Sequence, residues 1–592
     1  MSIADGALWI TFNGEIFNYI ELRDELIKKG HKFATRSDTE VILHLYQEEG
    51  EDCVYRLNGQ WAFAIWDSSR QKLFLSRDRM GVRPLFYTRT ANSFVFASEI
   101  KAIFAHSEIP RELDLDALDQ IFTFWVTLPP HTAFRNISQL APGHSLVFEN
   151  GTVRDCGYWN LEYVEGSLQE NREKQLTEDL LNLLLDATNI RLRSDVPVGA
   201  YLSGGLDSTV ITALTHRLVG DRLRTFSVSF EDKEFDESPY QHEASRFLHT
   251  QHSNVTCSYK DVAESFPDVV WHAEQPVLRT APAPMLLLSK LVRQNGFKVV
   301  LTGEGADEVF GGYDIFKETK IRQFWGKNLD SHWRPLLLKR LYPYMDGMQR
   351  QSPTYLKAFF HVNFDNLSSP FFSHLPRWAL TAKLKSFFSE NVRARLDGSN
   401  AIHSMQNELP VNYMSWTIFN RAEFLEGRYL LPGYILSSQG DRMAMANAVE
   451  GRYPFLDFRV VEFATKLPSR LKMKVLNQKY ILKQTFNGMI PSSIQQRYKQ
   501  PYRAPDGKSF FESASYLLDL LSTEQIKRDG IFDCRAVSAL VTKFQSGQAT
   551  GTKDNMALVG LLSTQLLLQQ FVNHSRGTSL CNPTMLKKCA VL

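Results

Sequence analysis

Paired cysteines are missing from this sequence of 592 residues. Its six cysteines are scattered along the chain, and none of them belongs to a C-x-x-C pair. Without such spacing, the sequence predicts neither a disulfide framework nor a structural zinc site. This cysteine usage is typical of proteins in a reducing compartment, so we expect the chain to act in the cytoplasm.

An excess of charge is missing as well. Lysine and arginine together number 67 against 65 aspartate and glutamate residues, which leaves a formal net charge of +2. A chain without a basic excess has no electrostatic reason to bind nucleic acid or an anionic membrane surface. We therefore expect neither partner.

Long apolar runs and targeting segments are also missing. The longest apolar stretch, from 557 to 572, is interrupted by polar residues that include Ser563, Thr564, Gln565 and Gln569, and it predicts a buried helix rather than a membrane span. The first residues lack the basic and apolar regions of a signal peptide. The last four residues, Cys589 to Leu592, match the prenylation pattern C-a-a-X, but only two lysines precede them, so lipid attachment stays open.

The chain is long enough for at least two domains, since its 592 residues are 43% hydrophobic. Up to residue 162, the apolar segments ALWITF, WAFAIWD, KLFLSRD and SFVFAS predict strands, with two helices between them. The polar run from 162 to 175 has little to bury and predicts a domain boundary. From 175 to 592, strands alternate with helices, which predicts an α/β domain with a parallel sheet that becomes mostly helical after residue 315.

The segment YLSGGLDST combines a strand end with a glycine turn and a helix start. Gly204 and Gly205 let the backbone approach a ligand closely, and the helix N-terminus offers free N–H groups to phosphate oxygens. Asp207 is an acid at this anion site, which makes sense if it binds Mg²⁺ that also contacts the phosphates. The alternative is that Ser203 and Asp207 only cap a helix.

A second glycine-rich turn, LTGEGADEVFGGY, follows another predicted strand. Its glycines permit close approach, and Glu304, Asp307 and Glu308 place three carboxylates within five positions. Like charges at this spacing are costly unless a cation neutralises them. The segment therefore predicts a binding site for a cation or a cationic substrate.

These motifs carry a family resemblance. SGGLDS resembles the pyrophosphate loop of ATP pyrophosphatases, and together with TGEGADEVFGGY and DRMAMANAVEGRYPFLD it resembles the asparagine synthetases. Independently, NGEIFNY, SDTEV, NGQWAFAIWD and RDRMGVRPLFY resemble the class II glutamine amidotransferase domain that precedes the synthetase domain in glutamine-hydrolysing members. The resemblance implies an N-terminal αββα sandwich of the Ntn type, lacking its front part, followed by a parallel-sheet ATP-pyrophosphatase domain.

The implied reaction is an ATP-dependent amidation with Mg²⁺. A substrate carboxylate attacks the α-phosphate of ATP, pyrophosphate leaves, and ammonia attacks the acyl-adenylate. The resemblance assigns adenylate chemistry to Glu304 and neutralisation of the leaving pyrophosphate to Lys499, and it places Mg²⁺ on Asp207 and Asp307. The implied ATP-binding residues are Leu202, Ser203, Gly204, Gly205, Asp207, Ser208, Val228, Thr302 and Gly303.

The acceptor is less clear from the sequence. Family members commonly carry an acidic residue and a serine before PMLLLSK, whereas this chain reads AEQPVLRTAPAP. Arg279 could hold an acceptor carboxylate in a bidentate pair, but the changed surroundings leave both aspartate and another carboxylic acid possible. Asp441 and Arg442 are either site residues or an ordinary ion pair on one helix face.

The first domain retains half of a glutamine site. The resemblance assigns oxyanion donors to Asn13 and Gly14, and it assigns binding of the glutamine amine to Glu15 and Asp38. The family nucleophile is a cysteine at the start of the mature chain, and MSIADG aligns with an internal methionine of family members. Cys53 has no adjacent base and is no substitute. We expect this chain to use ammonia, and the full-length form glutamine.

Two other readings stay open. One is a relative that closes an amide within a single substrate, as β-lactam synthetases and lasso-peptide cyclases do. The other is an inactive regulatory or binding subunit. In every case the expected partners are small molecules, with a homodimer as a further possibility.

Overall fold

The computed structural model describes residues 1–164, 172–361, 367–549 and 551–573. The predicted boundary from 162 to 175 lies partly outside these residues, and the C-a-a-X tetrapeptide lies wholly outside them. The predicted α/β class is confirmed, with antiparallel sheets at the N-terminus followed by one parallel sheet and many helices.

The N-terminal region is built on two antiparallel sheets. Six strands lie in the order β1-β2-β3-β4-β8-β9, and three lie in the order β6-β5-β7. Within β2 the apolar and exposed side chains alternate, since Leu8 and Ile10 are buried while Trp9 is 41% exposed. The strands are β1 (Ser2–Ile3), β2 (Leu8–Ile16), β3 (Gly59–Asp67), β4 (Lys72–Arg77), β5 (Phe86–Arg89), β6 (Phe94–Ala97), β7 (Ser138–Gln139), β8 (His144–Glu149) and β9 (Thr152–Gly157).

Each face of the large sheet is covered by a different layer. On one face, Ile10 and Phe63 pack against the helices Tyr19–Lys28 and Asp38–Glu49. On the other face, Ala62, Leu75 and their neighbours pack against the three-stranded sheet. The buried faces of both sheets thus form a common apolar core, as layered α/β domains require.

The second region is built on one parallel sheet with the strand order β12-β11-β10-β13-β14. Adjacent parallel strands end at the same edge, and β10 pairs directly with β13, so the glycine turns after these two strands lie side by side. This register places the predicted site at the carboxyl edge of the sheet. The strands are β10 (Val198–Tyr201), β11 (Arg224–Phe230), β12 (Gln251–Cys257), β13 (Val299–Leu301) and β14 (Glu450–Arg452).

Helices surround this sheet and form most of the remaining chain. Between 552 and 572 lies the one helical stretch of the described residues that is apolar and long enough to cross a membrane by composition alone, but 78% of its apolar window is buried inside the protein. The prediction of a buried helix there is confirmed. Helices of eight or more residues include Glu173–Ile190, Leu206–Val219, Ser238–Phe247, Tyr259–Ala273, Pro282–Gln294, Asp314–Gly326, Pro353–Phe360, Leu375–Ala382, Ile418–Leu425, Phe458–Thr465, Cys534–Gln545 and Thr552–Leu567.

The two regions meet along β14. The side-chain amide of Gln60 donates to the carbonyl of Gly451 at 2.9 Å, and that of Asn58 donates to the carboxylate of Asp457 at 3.0 Å. Because β14 also pairs with β13, the first region contacts the very strand that lies next to the predicted adenylate loop.

Candidate active site

The loop after β10 is shaped by glycine. Gly204 has a φ of +78°, and a Cβ atom there would lie 2.7 Å from the backbone nitrogen of Gln241, so only glycine fits without a shift. The hydroxyls of Ser203 and Ser208 lie 3.0 Å apart, and the Ser208 hydroxyl accepts a hydrogen bond from the Ser203 N–H at 3.2 Å. These bonds close the turn and place Asp207 in the first turn of the helix Leu206–Val219.

The loop after β13 touches the first loop. A Cβ atom on Gly303 would lie 2.7 Å from the backbone nitrogen of Ser208, so the two turns are in contact because position 303 has no side chain. The Thr302 N–H donates to the carbonyl of Arg452 at 3.0 Å, and its hydroxyl donates to the carboxylate of Glu304. The two predicted motifs therefore form a single site.

Four charged side chains meet between these loops. The ammonium of Lys479 lies 2.6 Å from carboxylate oxygens of both Asp207 and Asp307. The ammonium of Lys499 lies 2.6 Å from Asp307 and 3.7 Å from Asp207. The structure thus assembles three of the predicted residues, together with a second lysine that the sequence analysis missed.

No sequence motif marked Lys479 as a site residue. It stands outside any glycine-rich turn, in the run NQKYILKQ. In the structure its backbone has a φ of +51°, in the left-handed region that non-glycine residues seldom adopt. Such a backbone is retained only where its surroundings hold it in place, and here the two aspartates hold its side chain.

Burial and charge perturb the titration of this cluster. Burial raises the pKa of Glu304 to about 7. Burial, followed by the negative charge of Asp307, raises the pKa of Glu308 to about 8. Burial alone would also raise the pKa of Asp307, but the charges of Lys479 and Lys499 outweigh it and hold that pKa below its usual value. The same attraction raises the pKa of Lys499 despite its burial.

The loops open into a cavity of about 2120 Å³. Leu202 and Val228, which the resemblance linked to the nucleotide, line it. Part of their backbone is already engaged, since the Leu202 N–H donates to the carbonyl of Phe226 at 2.9 Å and the Val228 carbonyl accepts from Gln241 at 2.9 Å. Contacts of these two residues with a nucleotide would use their remaining backbone groups.

Arg279 lines the same cavity but already has a partner. Its guanidinium lies 2.9 Å from Asp506 and 5.4 Å from the ring centre of Trp125. Because Asp506 neutralises its charge, Arg279 is less suited to hold an acceptor carboxylate than the sequence indicated.

Asp441 and Arg442 are not among the residues that line the cavity. The interpretation as a mutual ion pair is wrong, since Asp441 contacts Arg83 at 2.5 Å and Arg442 contacts Glu274 at 2.6 Å. All four side chains are buried. The physical reason is that neighbouring residues on a helix point to different sides, so each finds a partner on a different element.

The residues of the glutamine half-site lie together at the end of β2. A Cβ atom on Gly14 would lie 2.1 Å from the carbonyl oxygen of Gln60, which explains the glycine. The side-chain amide of Asn13 donates to the hydroxyl of Ser98 at 3.1 Å, and the carboxylate of Asp38 accepts from the backbone N–H of Ile16 at 2.9 Å. The two predicted carboxylates thus flank the strand end.

Glu15 connects this half-site to the second region. Its carboxylate lies 3.3 Å from the guanidinium of Arg452, which also contacts Glu450 at 2.6 Å. Burial raises the pKa of Glu15 to about 8. Arg452 did not emerge from the sequence as a site residue, yet its side chain reaches Glu15 while its carbonyl holds Thr302.

Cys53 is not part of the half-site. It begins the short helix Cys53–Arg56, is fully buried, and packs among the apolar side chains between the helices and the large sheet. Burial raises the pKa of its thiol. A thiol that stays protonated in an apolar core is a poor nucleophile.

Comparison with known proteins agrees with this geometry. The family description "Asparagine synthase" matches residues 179–569, and "Glutamine amidotransferase domain" matches residues 1–159. Asparagine synthetase [glutamine-hydrolyzing] 1 of Bacillus subtilis is 31% identical over 512 residues, covering 85% of this chain and 77% of the relative. Amidase chyE of Penicillium rubens is 28% identical over 578 residues, covering 91% and 83%.

Among solved structures, the chain is similar to the glutamine phosphoribosylpyrophosphate amidotransferase of B. subtilis complexed with ADP and GMP. The TM-score is 0.20 at 18% identity, and the match covers 40% of this chain and 49% of that one.

Proposed function

The chain belongs to the asparagine synthase family, and from this premise we propose that it joins nitrogen to a carboxylic acid through an acyl-adenylate, with release of AMP and pyrophosphate. It is a ligase of the asparagine synthetase type. The observation that carries the proposal is the cluster of Asp207, Asp307, Lys479 and Lys499 beside Glu304, at the carboxyl edge of the parallel sheet. This edge is where open α/β sheets bind ligands.

The first step forms a bond between the acceptor carboxylate and the α-phosphorus of ATP, while the bond to the leaving pyrophosphate breaks. The N–H groups at the start of the helix Leu206–Val219 are suited to the phosphates. The ammonium of Lys499 would offset the charge that develops on the leaving pyrophosphate. Lys479 would hold Asp207 and Asp307 in place during this step.

In the second step ammonia attacks the acyl carbon and AMP leaves with the bonding electrons. The nitrogen gives up a proton as the amide forms. We assign that proton to Glu304, because its carboxylate lies on the loop of the adenylating cluster and its pKa of about 7 suits proton transfer near neutral pH.

Mg²⁺ is part of the proposal, and the site offers two carboxylates that could bind it. No group of three or more His, Cys, Asp or Glu ligands occurs in the part of the chain that the structure describes. Asp207 and Asp307 are two carboxylates, which suffices for a Mg²⁺ ion that takes its other ligands from nucleotide phosphates and water. When bound, such an ion would stabilise negative charge on the phosphate oxygens.

The proposal leaves the identity of the acceptor open within one chemical class, and it argues against an inactive subunit. The acceptor is aspartate or another carboxylic acid, and the similarity to a relative named as an amidase supports a range of acceptors wider than aspartate. The alternative of an inactive subunit is disfavoured, because a protein without chemistry has no need for this buried cluster of acids and lysines.

The products of ATP test the proposal directly. With ATP, Mg²⁺, an accepted carboxylic acid and ammonium, we expect AMP and pyrophosphate in amounts equal to the amide, because the α-phosphate is the site of attack. The measurement is nucleotide chromatography with a coupled pyrophosphate assay. Formation of ADP and orthophosphate instead would contradict the acyl-adenylate.

A pH profile tests the role of Glu304. With the concentration of unprotonated ammonia held constant, the rate of amide formation should rise as the pH passes about 7, because the protonated carboxyl below that pH cannot accept a proton. Glu304→Gln should lower the rate about 10²-fold at pH 8 and remove this inflection. A control is Glu234→Gln, which changes an acid that lines the cavity and pairs with Arg503 at 3.3 Å. A parental rate that is flat between pH 6 and 8 would exclude the assignment.

A further inference from the structure

The cavity extends well beyond the adenylating cluster. Part of its lining, which we call the annex, consists of six largely apolar side chains, Tyr342, Tyr344, Met348, Tyr355, Phe359 and Phe360. The whole cavity measures about 2120 Å³, whereas a pocket for one drug-sized ligand measures about 300–1,000 Å³. ATP and an acceptor as small as aspartate would leave the annex unfilled.

Aromatic side chains join the annex to the reacting centre. The ring of Tyr344 lies 6.3 Å from that of Tyr342 and 6.3 Å from that of Tyr498. Tyr498 directly precedes Lys499, whose ammonium lies 6.0 Å from the ring centre of Tyr313. An acceptor with its carboxylate at the adenylating cluster would therefore have aromatic rings along which its body can extend.

The annex also has an acidic wall. Of its four carboxylates, three lie near a cation: Asp314 is 3.5 Å from Lys317, Glu318 is 3.8 Å from Arg322, and Glu426 is 3.1 Å from Arg377. In the described chain, Glu308 makes no such ion pair, and its Oε1 only accepts from the hydroxyl of Tyr313 at 2.7 Å.

Glu308 is nearly fully buried, at 2% exposure, and lines the cavity. Its Oε2 has no hydrogen-bond partner, and neither has Oε2 of the equally buried Glu426 on the same wall. A buried carboxylate oxygen without a partner is costly. A ligand that brings a positively charged donor to these two oxygens would remove that cost.

We propose that the acceptor is a carboxylic acid that carries an ammonium group and a flat aryl body, and that Glu308 binds the ammonium while the annex holds the aryl ring. This inference rests on the proposed function and names its substrate class. An ammonium supplies the donors and the charge that Glu308 lacks. Aryl rings stack well on tyrosine and methionine side chains, and the adenylating cluster marks the end of the site where the acceptor carboxylate reacts.

ATP–pyrophosphate exchange tests this inference without knowledge of the natural acceptor. The probes are L-phenylalanine, 4-(aminomethyl)benzoate, 3-phenylpropionate and L-aspartate, each with ATP and Mg²⁺. L-phenylalanine and 3-phenylpropionate differ only in the ammonium group, and L-phenylalanine and L-aspartate differ in the aryl ring. We expect kcat/KM for the two aryl amines to exceed the values for the other acids about tenfold.

The variant Glu308→Gln completes the test. Glutamine has nearly the same shape as glutamate, and Glu308 makes no ion pair in the described chain, so this variant leaves no buried cation without its partner. The variant should lose most of the preference for the ammonium group, while its KM for ATP and its rate with 3-phenylpropionate stay unchanged. Glu234→Gln serves as the matched control and should keep the preference.

The possible outcomes distinguish a failure of the inference about the acceptor from a failure of the proposed function. Equal exchange with L-phenylalanine and 3-phenylpropionate, or a preference for L-aspartate over both aryl amines, would overturn the inference and leave the proposed function standing. A preference that survives in Glu308→Gln would exclude Glu308 as the ammonium site. No exchange with any acid, L-aspartate included, would contradict the proposed function itself.

Discussion

Replacing Lys499 by alanine is expected to slow pyrophosphate formation by about 10²–10³-fold, the usual cost of losing one electrostatic partner of a transition state. The two lysines of the cluster differ in access to the cavity. The side chain of Lys499 is 26% exposed, whereas that of Lys479 is 3% exposed and is held by two aspartates. Lys499 is therefore the cation that a leaving pyrophosphate can reach.

Two further variants test whether the effect depends on the positive charge at position 499. Lys499→Arg keeps the charge and should restore part of the rate, although its planar guanidinium does not reproduce an ammonium. Lys508→Ala removes an exposed lysine from the same cavity and should leave the rate unchanged. The measurement is the initial rate of pyrophosphate release at saturating ATP. A parental rate in Lys499→Ala would remove Lys499 from the mechanism.

Replacing Lys479 should disturb the positions of Asp207 and Asp307 rather than remove a contact with the leaving pyrophosphate. Its ammonium is the shared partner of Asp207 and Asp307, and removal of one member of a buried ion cluster leaves uncompensated charge. We infer that Lys479 acts as a positioning residue, which keeps two carboxylates at a distance that their mutual repulsion would otherwise increase.

The parts of the site that could be predicted from the sequence are the ones encoded locally. SGGLDS and TGEGADE each carry their glycines, acids and helix start within a few residues, so the shape of each turn follows from its own segment. Their proximity also follows, because turns after neighbouring parallel strands meet at one edge of the sheet. The fold class could also be predicted, because the alternation of strands and helices is visible in local sequence patterns.

The parts that could not be predicted depend on contacts across the chain. Lys479 reaches Asp207 from a turn far along the chain, and Asp441 reaches Arg83 in the other region. No local pattern specifies such partners, because a single lysine or aspartate is most often solvated. Arg452 was missed for the same reason, since its contacts with Glu15 and with Thr302 join segments that are far apart in the sequence.

Arg452 gives the two regions a direct physical connection. Its guanidinium contacts Glu15 in the glutamine half-site, its carbonyl accepts from Thr302, and the hydroxyl of Thr302 donates to Glu304. One residue therefore contacts both the half-site and the loop that carries Glu304.

The polypeptide as printed is expected to form amide with ammonium chloride and to leave glutamine intact. Hydrolysis of glutamine in this family needs a thiolate with an adjacent base. Among the described cysteines, Cys53 is buried in the core with its thiol pKa raised by burial. Cys156 lies in β9, at the opposite end of the sheet order from β2, and Cys257 and Cys534 lie in the second region.

Amidation needs none of these thiols. The acyl-adenylate requires only a nitrogen nucleophile. No residue of the half-site takes part in the ion pairs between Lys499, Asp207 and Asp307. Asn13, Glu15 and Asp38 could still bind glutamine. Because none of the described cysteines lies among these residues, we expect no covalent intermediate and an intact amide bond. The rate with ammonium should rise towards alkaline pH, because the unprotonated fraction of ammonia increases.

The assay follows amide, pyrophosphate and glutamate with ammonium chloride or glutamine as the nitrogen source. With ammonium we expect amide and pyrophosphate in equal amounts, and with glutamine no glutamate above the sample without enzyme. Cys53→Ala should behave like the parent in both assays. Glutamate released in proportion to amide would overturn the prediction. Loss of that release in Cys53→Ala would then identify Cys53 as the nucleophile, reached through an opening of the core that the present packing does not provide.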